Sequence, residues 1–359
     1  MAQKKNPPAG GKTVFVGMSG GVDSSVAAGL LKKQGYDVVG VHLRCFNLDG
    51  CADRDLEDAR RAAEVLGIPF YVFDFEKEYK KRVMEYMIDG YKKGITPNPD
   101  VMCNQEIKFG LFLDKALQMG ADYVATGHYV RLSRGKLFIA EDKNKDQSYF
   151  LWTLNRKQLK HCLFPLGDIK KPQVRKLAQK LGLLNADKND SQGICFLGQI
   201  GLEEFLKKYI KPKTGNIVDI AGNILGKHSG IFYYTIGQRH GLHLDKAAKS
   251  PDSAPYYVAD KILKTNTIVV AQGENNPALF KKEVVLAGVN FIGGKPKSGV
   301  KVYARVRYRQ PLFKARLLTA RKKSEYKLVF AEPQRFVAAG QSAVFYLKNG
   351  NMLGGGIIK

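Results

Sequence analysis

Two of the five cysteines in this 359-residue chain stand in sequence contexts where a thiol could react. Cys103 follows two prolines in TPNPDVMCNQEIKFG and is predicted just ahead of a helix that begins near Asn104, where the helix dipole favours a thiolate. Cys195 lies between a glycine turn and an apolar pair in NDSQGICFLG. Because 92 residues separate the two thiols, only the fold can bring them together.

The other three cysteines predict neither a disulfide framework nor a metal centre. Five is an odd count and the chain contains no C-x-x-C pair, which argues against paired disulfides and against a zinc ribbon. Cys45, Cys51 and Cys162 match no reactive motif, so we expect small apolar side chains in structural positions. Two thiols without two further ligands do not make a zinc site, and no metal site is predicted.

The stretch GMSGGVDSSV is a second chemical candidate, directly behind the apolar run TVFV. Gly20 and Gly21 can adopt positive φ and let the backbone approach a ligand closely. Exposed N–H groups and a helix predicted to start near Ser24 present positive potential to an anion. No Gly-Lys-Ser/Thr follows, and GGKT at residues 10–13 precedes its strand, so neither stretch is an ordinary Walker A loop. We therefore predict a phosphate-binding loop of another type.

The elements around these motifs predict an α/β fold followed by β structure. From Thr13 to about Thr126 short apolar runs alternate with helical patterns, which indicates an α/β doubly wound parallel sheet with ligands bound beyond the carboxyl ends of its strands. After about residue 200, short strands between turn signals indicate a β-rich half. We expect a flexible tail at 1–12, a catalytic domain at 13–200, a central β-rich domain at 201–280 and a C-terminal small β-barrel at 281–359.

Net charge points to a polyanionic partner. The chain carries a formal +25, and residues 281–359 hold 17 Lys and Arg against 3 Asp and Glu, so we place a nucleic-acid surface there. In VYARVRYRQ a strict strand alternation would put Arg305, Arg307 and Arg309 on one face with Tyr303, which suits phosphates and stacked bases.

Hydrophobic residues make up 44% of the chain without a long uncharged run, which excludes wholesale disorder and a membrane helix. The basic N-terminal stretch MAQKKNPPAGGK has no apolar segment of a secretory signal and no Arg-rich transit pattern. We therefore expect a cytoplasmic protein without a membrane partner.

The loop SGGVDS resembles that of the pyrophosphatase-loop (N-type) ATPases, which have an adenine nucleotide alpha hydrolase-like fold and split ATP between its α and β phosphates. Together with NPD-x-x-CN-x-x-IKF and DS-x-GICF it resembles the tRNA-specific 2-thiouridylases, from about Thr13 to the last residues. Members of that family replace the 2-oxo group of the wobble uridine in certain tRNAs with sulfur.

This resemblance implies a role for each motif. Cys195 would carry a persulfide loaded by an upstream sulfur-relay protein, Cys103 would be the second catalytic thiol, and the reaction would leave a transient disulfide between them. Asp100 would act as general acid or base. ATP would bind with Mg²⁺ held mainly by the nucleotide phosphates, and the implied ATP contacts are Gly17, Met18, Ser19, Gly20, Gly21, Val22, Asp23, Ser24, Leu43 and Gly127.

The same resemblance implies residues that meet the anticodon stem-loop of tRNA. The implied contacts with the target base are Asn98, Pro99 and Asp100, and those with the rest of the tRNA are His128, Lys145, Asp146, Gln147, Arg307, Tyr308 and Gln341. For His128 a structural histidine satisfied by its neighbours is an equally good interpretation. The sulfur donor, the set of tRNAs and the choice between direct persulfide attack and free hydrosulfide stay open.

Two other functions fit parts of the pattern. A ligase of the same loop class would use the adenylate with a nitrogen nucleophile and would need no cysteine pair. A non-catalytic RNA-binding protein would not need an intact SGGVDS loop. Loss of product formation in a Cys195→Ser variant would argue against the first, and tRNA-dependent pyrophosphate release against the second.

The basic C-terminal segment predicts a steep salt dependence of tRNA binding. Replacing Arg307 with alanine removes one phosphate contact, so the slope of log K against log salt should fall in magnitude by about one. Filter binding or anisotropy over a salt series measures this slope. An unchanged slope would remove Arg307 from the phosphate contacts.

Overall fold

The computed structural model describes residues 11–46, 51–189, 200–245, 254–320, 322 and 324–359. Its strands are β1 (Thr13–Gly17), β2 (Asp37–Arg44), β3 (Phe70–Asp74), β4 (Tyr123–Ala125), β5 (Arg131–Ser133), β6 (Lys136–Phe138), β7 (Cys162–Leu163), β8 (Gly215–Val218), β9 (Ile224–His228), β10 (Tyr256–Ile262), β11 (Thr267–Gln272), β12 (Phe280–Phe291), β13 (Val300–Arg305), β14 (Phe313–Thr319), β15 (Tyr326–Arg335), β16 (Ser342–Tyr346) and β17 (Met352–Ile358).

The helices lie mainly in the first half of the described chain. The α-helices are α1 (Val22–Lys33), α2 (Cys51–Val65), α3 (Glu76–Tyr79), α4 (Glu85–Lys92), α5 (Pro99–Cys103), α6 (Phe112–Gln118), α7 (Arg156–Leu159), α8 (Lys171–Lys180) and α9 (Leu202–Lys207). Two π-helical segments, Lys80–Met84 and Asn104–Leu111, join α3 to α4 and α5 to α6. Short 3-10 turns occur at Ser148–Phe150, Ile231–Tyr233 and Pro277–Leu279. None of these helices combines the length and apolar content needed to cross a bilayer.

A five-stranded parallel sheet in the order β3-β2-β1-β4-β7 organises the first part of the chain. Its central strand β1 is buried on both faces, because Val14 and Val16 pack with α1 in one core while Phe15 faces the other. Helices on both faces of a parallel sheet are the doubly wound arrangement. The predicted fold class is confirmed for this part of the molecule.

The rest of the chain forms two β structures. The central sheet has the order β10-β11-β8-β9, and strands β12-β15-β14-β13-β16-β17 close into a barrel. Closure leaves the barrel without an unpaired edge, and its interior is filled by apolar side chains such as Leu286, Leu317, Leu328 and Phe345. The predicted β-rich centre and C-terminal small barrel are thus both confirmed.

The predicted arginine face is wrong. Strand β13 ends at Arg305, so the alternation does not continue to Arg307 and Arg309. Arg309 adopts a positive φ of 62°, and the Gln310 side chain accepts a hydrogen bond from the Val306 backbone N–H at 2.8 Å, which turns the chain out of the sheet. Of the three arginines, Arg305 is buried rather than presented to solvent.

Polar contacts buried between the catalytic domain and the barrel hold these two parts together. The indole N–H of Trp152 donates to Ser342 Oγ at 3.0 Å, and the Tyr149 hydroxyl donates to the Ser342 carbonyl at 2.9 Å. The guanidinium of Arg305 pairs with Asp146, whose side chain is only 3% exposed. Asp146 also accepts from the Ala140 and Ser148 backbone N–H groups. A buried carboxylate needs such partners, because desolvation is costly for an unpaired charge.

Breaking the buried Arg305–Asp146 pair should destabilise the molecule strongly. Arg305→Met leaves a buried carboxylate without its cation, and we expect a loss of about 3–5 kcal/mol. The exposed Lys327–Glu283 pair on the same barrel offers a control, since Lys327→Met should cost less than about 1 kcal/mol. Urea unfolding followed by the fluorescence of Trp152, the one tryptophan in the sequence, measures both. Similar midpoints for the two variants would contradict this role of the pair.

Candidate functional site

The loop at the carboxyl end of β1 is shaped by one glycine and two serines. Gly20 has φ +74°, and a Cβ there would lie 2.3 Å from the Asp55 carbonyl oxygen, so only glycine fits. Gly21 caps α1 with an extended backbone, so of the two glycines only Gly20 uses positive φ. Ser24 Oγ accepts from the Ser19 N–H and donates to the Gly21 carbonyl, both at 3.1 Å. The loop is therefore held by its own side chains at the start of a helix, which begins at Val22 rather than near Ser24.

Backbone at the ends of the neighbouring strands completes the candidate phosphate site. A Cβ on Gly127, just after β4, would lie 2.7 Å from the Ser24 backbone nitrogen, so that backbone rests directly on the loop. Met18 N–H donates to the Val41 carbonyl at 2.7 Å, and Leu43 lies half-buried near the end of β2. Gly17, Met18, Leu43 and Gly127 are thus brought to the same edge of the sheet as the loop, where parallel α/β sheets bind ligands.

Asp23 of the loop is fixed by two residues that the sequence analysis missed. Lys171 Nζ donates to both carboxylate oxygens of Asp23 at 2.7 and 2.9 Å, and the Tyr129 hydroxyl donates to it at 2.8 Å. Lys171 is 7% exposed and is the first residue of α8, where the helix dipole disfavours a cation. A lysine in such a position needs a nearby anion, and this was the signal available in KPQVRKLAQK.

Asn185 and Lys188, which precede Cys195 in the chain, bind the same loop and the helix α2 beside it. Asn185 Nδ2 donates to the Gly20 carbonyl at 3.0 Å and to Ser25 Oγ at 3.1 Å. Lys188 Nζ pairs with Asp55 at 2.8 Å on α2, whose backbone touches Gly20. Cys195 itself lies outside the described residues. Its predicted meeting with Cys103 therefore stays a prediction.

Cys103 lies one turn inside a helix, so its predicted place ahead of a helix N-terminus is wrong. The helix begins at Pro99, with Asn98 as its cap: Asn98 Oδ1 accepts from the Val101 N–H at 3.2 Å. The thiol is 5% exposed, and the helix continues from it into the π-helical segment Asn104–Leu111. π-helical turns occur frequently at functional sites.

A strip of polar side chains lies on and beside the Cys103 helix. Burial raises the pKa of Asp100, and the charge of Lys108 partly opposes that rise. Asn104 Nδ2 donates to the Asp100 carbonyl at 3.0 Å, while its buried Oδ1 has no hydrogen-bond partner among the residues described. Burial, and to a smaller extent Lys108, holds the pKa of His128 well below its ordinary value. Lys108 thus acts electrostatically on both residues.

His128 is packed on all sides by its neighbours. Its Nδ1 lies 2.8 Å from Thr126 Oγ1, and its ring lies 6.0 Å from that of Phe109 and 6.4 Å from that of Phe164. The geometry supports a neutral, structural histidine, which was one of the two interpretations. A contact of His128 with tRNA stays a prediction.

The residues of the catalytic domain that are predicted to contact RNA differ in how far their side chains are available to a partner. Lys145 is half-buried, whereas the Asp146 side chain is buried in its ion pair and Gln147 Oε1 accepts from the Tyr129 N–H at 3.0 Å. The carboxylate of Asp146 therefore serves the fold, and a contact of Asp146 with tRNA stays a prediction.

On the barrel side, Arg307 lies 5.8 Å from the Phe336 ring centroid and Tyr308 packs on Phe150 with ring centroids 4.5 Å apart. Burial lowers the pKa of Arg307. Tyr149 lies between this group and Asn98, because its ring centroid is 6.1 Å from that of Tyr308 and, while burial raises the Tyr149 pKa, the Asn98 side chain is close enough to oppose part of that rise. The predicted target-base and barrel contacts are thus neighbours.

Neither Cys45 nor Cys162 forms a disulfide within the described part of the chain. Cys162 Sγ donates to the Gln158 carbonyl at 3.1 Å, and burial raises its pKa to about 12, which keeps the thiol protonated. Among the described residues no group of three or more His, Cys, Asp or Glu side chains could hold a metal.

Comparison with known proteins covers nearly the whole chain. The family model described as tRNA methyl transferase HUP domain matches residues 12–199, the tRNA methyl transferase PRC-barrel domain matches 203–272, and the Aminomethyltransferase beta-barrel domain matches 281–358. The tRNA-specific 2-thiouridylase MnmA 1 of Geobacillus kaustophilus is 48% identical over 97% of this chain and 95% of its own length. The tRNA-specific 2-thiouridylase MnmA of Streptococcus mutans is 46% identical over 96% and 94%.

Lys171 should be required for any reaction that uses the phosphate loop. Lys171→Met frees Asp23 from its cation and leaves a carboxylate facing the incoming phosphates, so tRNA-dependent pyrophosphate release should fall about 100-fold. Lys176→Met, on the exposed side of the same helix, is the matched control and should keep the wild-type rate. Equal rates for the two variants would show that Asp23 does not need its partner.

Proposed function

Because this chain belongs to the family of the tRNA-specific 2-thiouridylases, we propose how its residues use ATP to replace the 2-oxo group of a tRNA uridine with sulfur. One observation carries the assignment of the site: the phosphate loop and the Cys103 helix meet at one edge of the sheet. Phe109 of that helix packs on His128, and the preceding Gly127 touches Ser24 of the loop. The adenylating and the thiol chemistry can therefore act on the same base.

In this proposal ATP binds in the candidate phosphate site at the end of β1. The start of α1 and the N–H groups around Gly20 attract an anion, and the glycines at 20 and 127 let the loop pack closely against α2 and the end of β4. We assign the pyrophosphate end to residues 19–24, with Leu43 beside the adenine. Mg²⁺ would be held mainly by the nucleotide phosphates, with Asp23 the nearest carboxylate that could orient it.

Adenylation turns a poor leaving group into a good one. The uridine O2 attacks the α phosphorus of ATP and pyrophosphate departs, which leaves AMP attached to the base through that oxygen. Asp100, on the Cys103 helix beside the proposed base position, would move the proton, and burial raises its pKa, which favours the protonated carboxyl group more than in a free aspartate. Asn98 and Pro99, at the start of the same helix, would border the base.

Sulfur then replaces the activated oxygen. In this proposal a relay protein loads Cys195 with a persulfide, whose terminal sulfur adds to C2 and expels AMP. Cys103 attacks the inner sulfur of Cys195, which breaks the S–S bond and leaves a Cys103–Cys195 disulfide. Alternatively Cys103 attacks first and hydrosulfide is the nucleophile. Either route needs the two thiols within disulfide distance, so the segment around Cys195 must approach the Cys103 helix.

The tRNA would lie across the barrel and the loop that precedes the Cys103 helix, residues 96–98. Reaching O2 requires the base to leave its stack. Lys145 and Gln147 from the catalytic domain, with Arg307 and Tyr308 from the barrel, would hold the surrounding anticodon loop. The excess of basic residues in 281–359 supports this placement by attracting the phosphate backbone.

Nucleoside mass spectrometry tests the proposal directly. Wild-type protein with tRNA, ATP and a persulfide donor should produce 2-thiouridine, and Cys103→Ser and Cys195→Ser should each abolish it. Cys45→Ser, a thiol outside the motifs, is the control and should retain activity. If AMP is released with no 2-thiouridine in the wild type, the adenylating loop stands but another nucleophile must be sought.

A further inference from the structure

The turn between β15 and β16 of the barrel forms hydrogen bonds with the loop that precedes the Cys103 helix, residues 96–98. The Thr96 N–H donates to the Ala339 carbonyl at 2.8 Å. Gln341 Nε2 donates to the Thr96 carbonyl at 2.9 Å and to the Pro97 carbonyl at 3.2 Å. The Thr96 N–H and the carbonyls of Thr96 and Pro97 are thus all hydrogen-bonded to the barrel.

Gly340 sets how closely the turn approaches. It has φ +90°, and a Cβ there would lie 2.8 Å from the Thr96 carbonyl oxygen, inside contact distance. The turn is itself fixed to β17, because the Gly340 N–H donates to the Ile358 carbonyl and the Ile358 N–H donates to the Gln341 carbonyl, both at 2.8 Å. The barrel therefore presents a rigid surface to the loop.

The central domain holds the same loop from another side. Thr96 Oγ1 donates to Thr235 Oγ1 at 3.3 Å. Immediately after Pro97, Asn98 caps the helix that carries Asp100 and Cys103. A displacement of residues 96–97 would therefore shift the start of this helix and with it the groups that meet the base.

We propose that Gln341 and Gly340 are positioning residues, which seat the start of the Cys103 helix, Asn98–Asp100, for the reaction instead of contributing binding energy for tRNA. This rests on the function proposed above and differs from the tRNA contact that the family resemblance implies for Gln341. The side-chain amide nitrogen of Gln341 donates to both loop carbonyls. The barrel that binds RNA thereby also sets the geometry of the site.

Gln341→Met tests the role of the two hydrogen bonds. Methionine has a similar length, donates no hydrogen bond and adds no charge that would repel RNA. The single-turnover rate of 2-thiouridine formation at saturating tRNA should fall about 100-fold, because small misplacements of reacting groups are costly. The Kd for tRNA should change by less than about threefold.

Gly340→Ala tests the same role without touching Gln341. Its Cβ would push on the Thr96 carbonyl and lower the saturating rate. Gly294→Ala is the matched control in the barrel, since Gly294 also has positive φ, +104°, but no atom lies within 4 Å of its Cβ position. The control carries the same backbone strain without the collision and should keep the wild-type rate.

The measurements distinguish a positioning role of Gln341 from a direct contact with tRNA. A fall in the saturating rate of Gln341→Met with an unchanged Kd supports positioning. A weaker Kd with an unchanged saturating rate overturns it in favour of a direct tRNA contact, and so does the absence of any change. Equal rates for Gly340→Ala and Gly294→Ala also overturn it. A wild-type protein that makes no 2-thiouridine would instead count against the proposed function.

Discussion

The loop before Cys103 cannot satisfy its own backbone, and much of the architecture depends on how that need is met. Pro97 and Pro99 have no N–H to donate, and the Thr96 N–H and the Thr96 and Pro97 carbonyls find their hydrogen-bond partners outside the loop. Buried backbone groups left without partners cost free energy, so another part of the molecule must supply them. The barrel turn does so, with Gln341 at its centre. A domain rich in basic residues is thereby joined to the candidate site.

The same rule explains two ion pairs, of which Asp146 with Arg305 is buried and Asp23 with Lys171 is partly buried. Asp23 with Lys171 and Asp146 with Arg305 each join residues far apart in sequence, and in each a carboxylate receives further donors besides its cation. The first pair fixes a loop side chain, and the second fixes the barrel against the catalytic domain. In a chain with a large positive excess, such pairing decides which cations remain for RNA. Arg305, which looked available by alternation, is not among them.

Local patterns predicted the loop, the parallel sheet and the barrel because each arises from neighbouring residues. The apolar run of β1 followed by glycines specifies a strand, a tight turn and a helix in one stretch. The Cys103 helix was placed too late, although Asn98 followed by Pro99 is a typical cap and first residue of a helix. The arginine face failed because alternation holds only while a strand lasts. Lys171 and Gln341 find their partners, Asp23 and Thr96, 148 and 245 residues away, so neighbouring residues could show that Lys171 needs an anion but could not identify either partner.

The fastening of the barrel turn to β17 also has a consequence for biosynthesis. Domains tend to fold in the order in which they leave the ribosome, so the parallel sheet can form early. The Thr96 loop, however, finds its partners only when a segment 245 residues later has been translated and the barrel has closed. A nascent chain would therefore hold a folded phosphate loop well before its thiol helix is correctly seated. Such an order would keep the proposed sulfur transfer from starting before the barrel has closed against the loop.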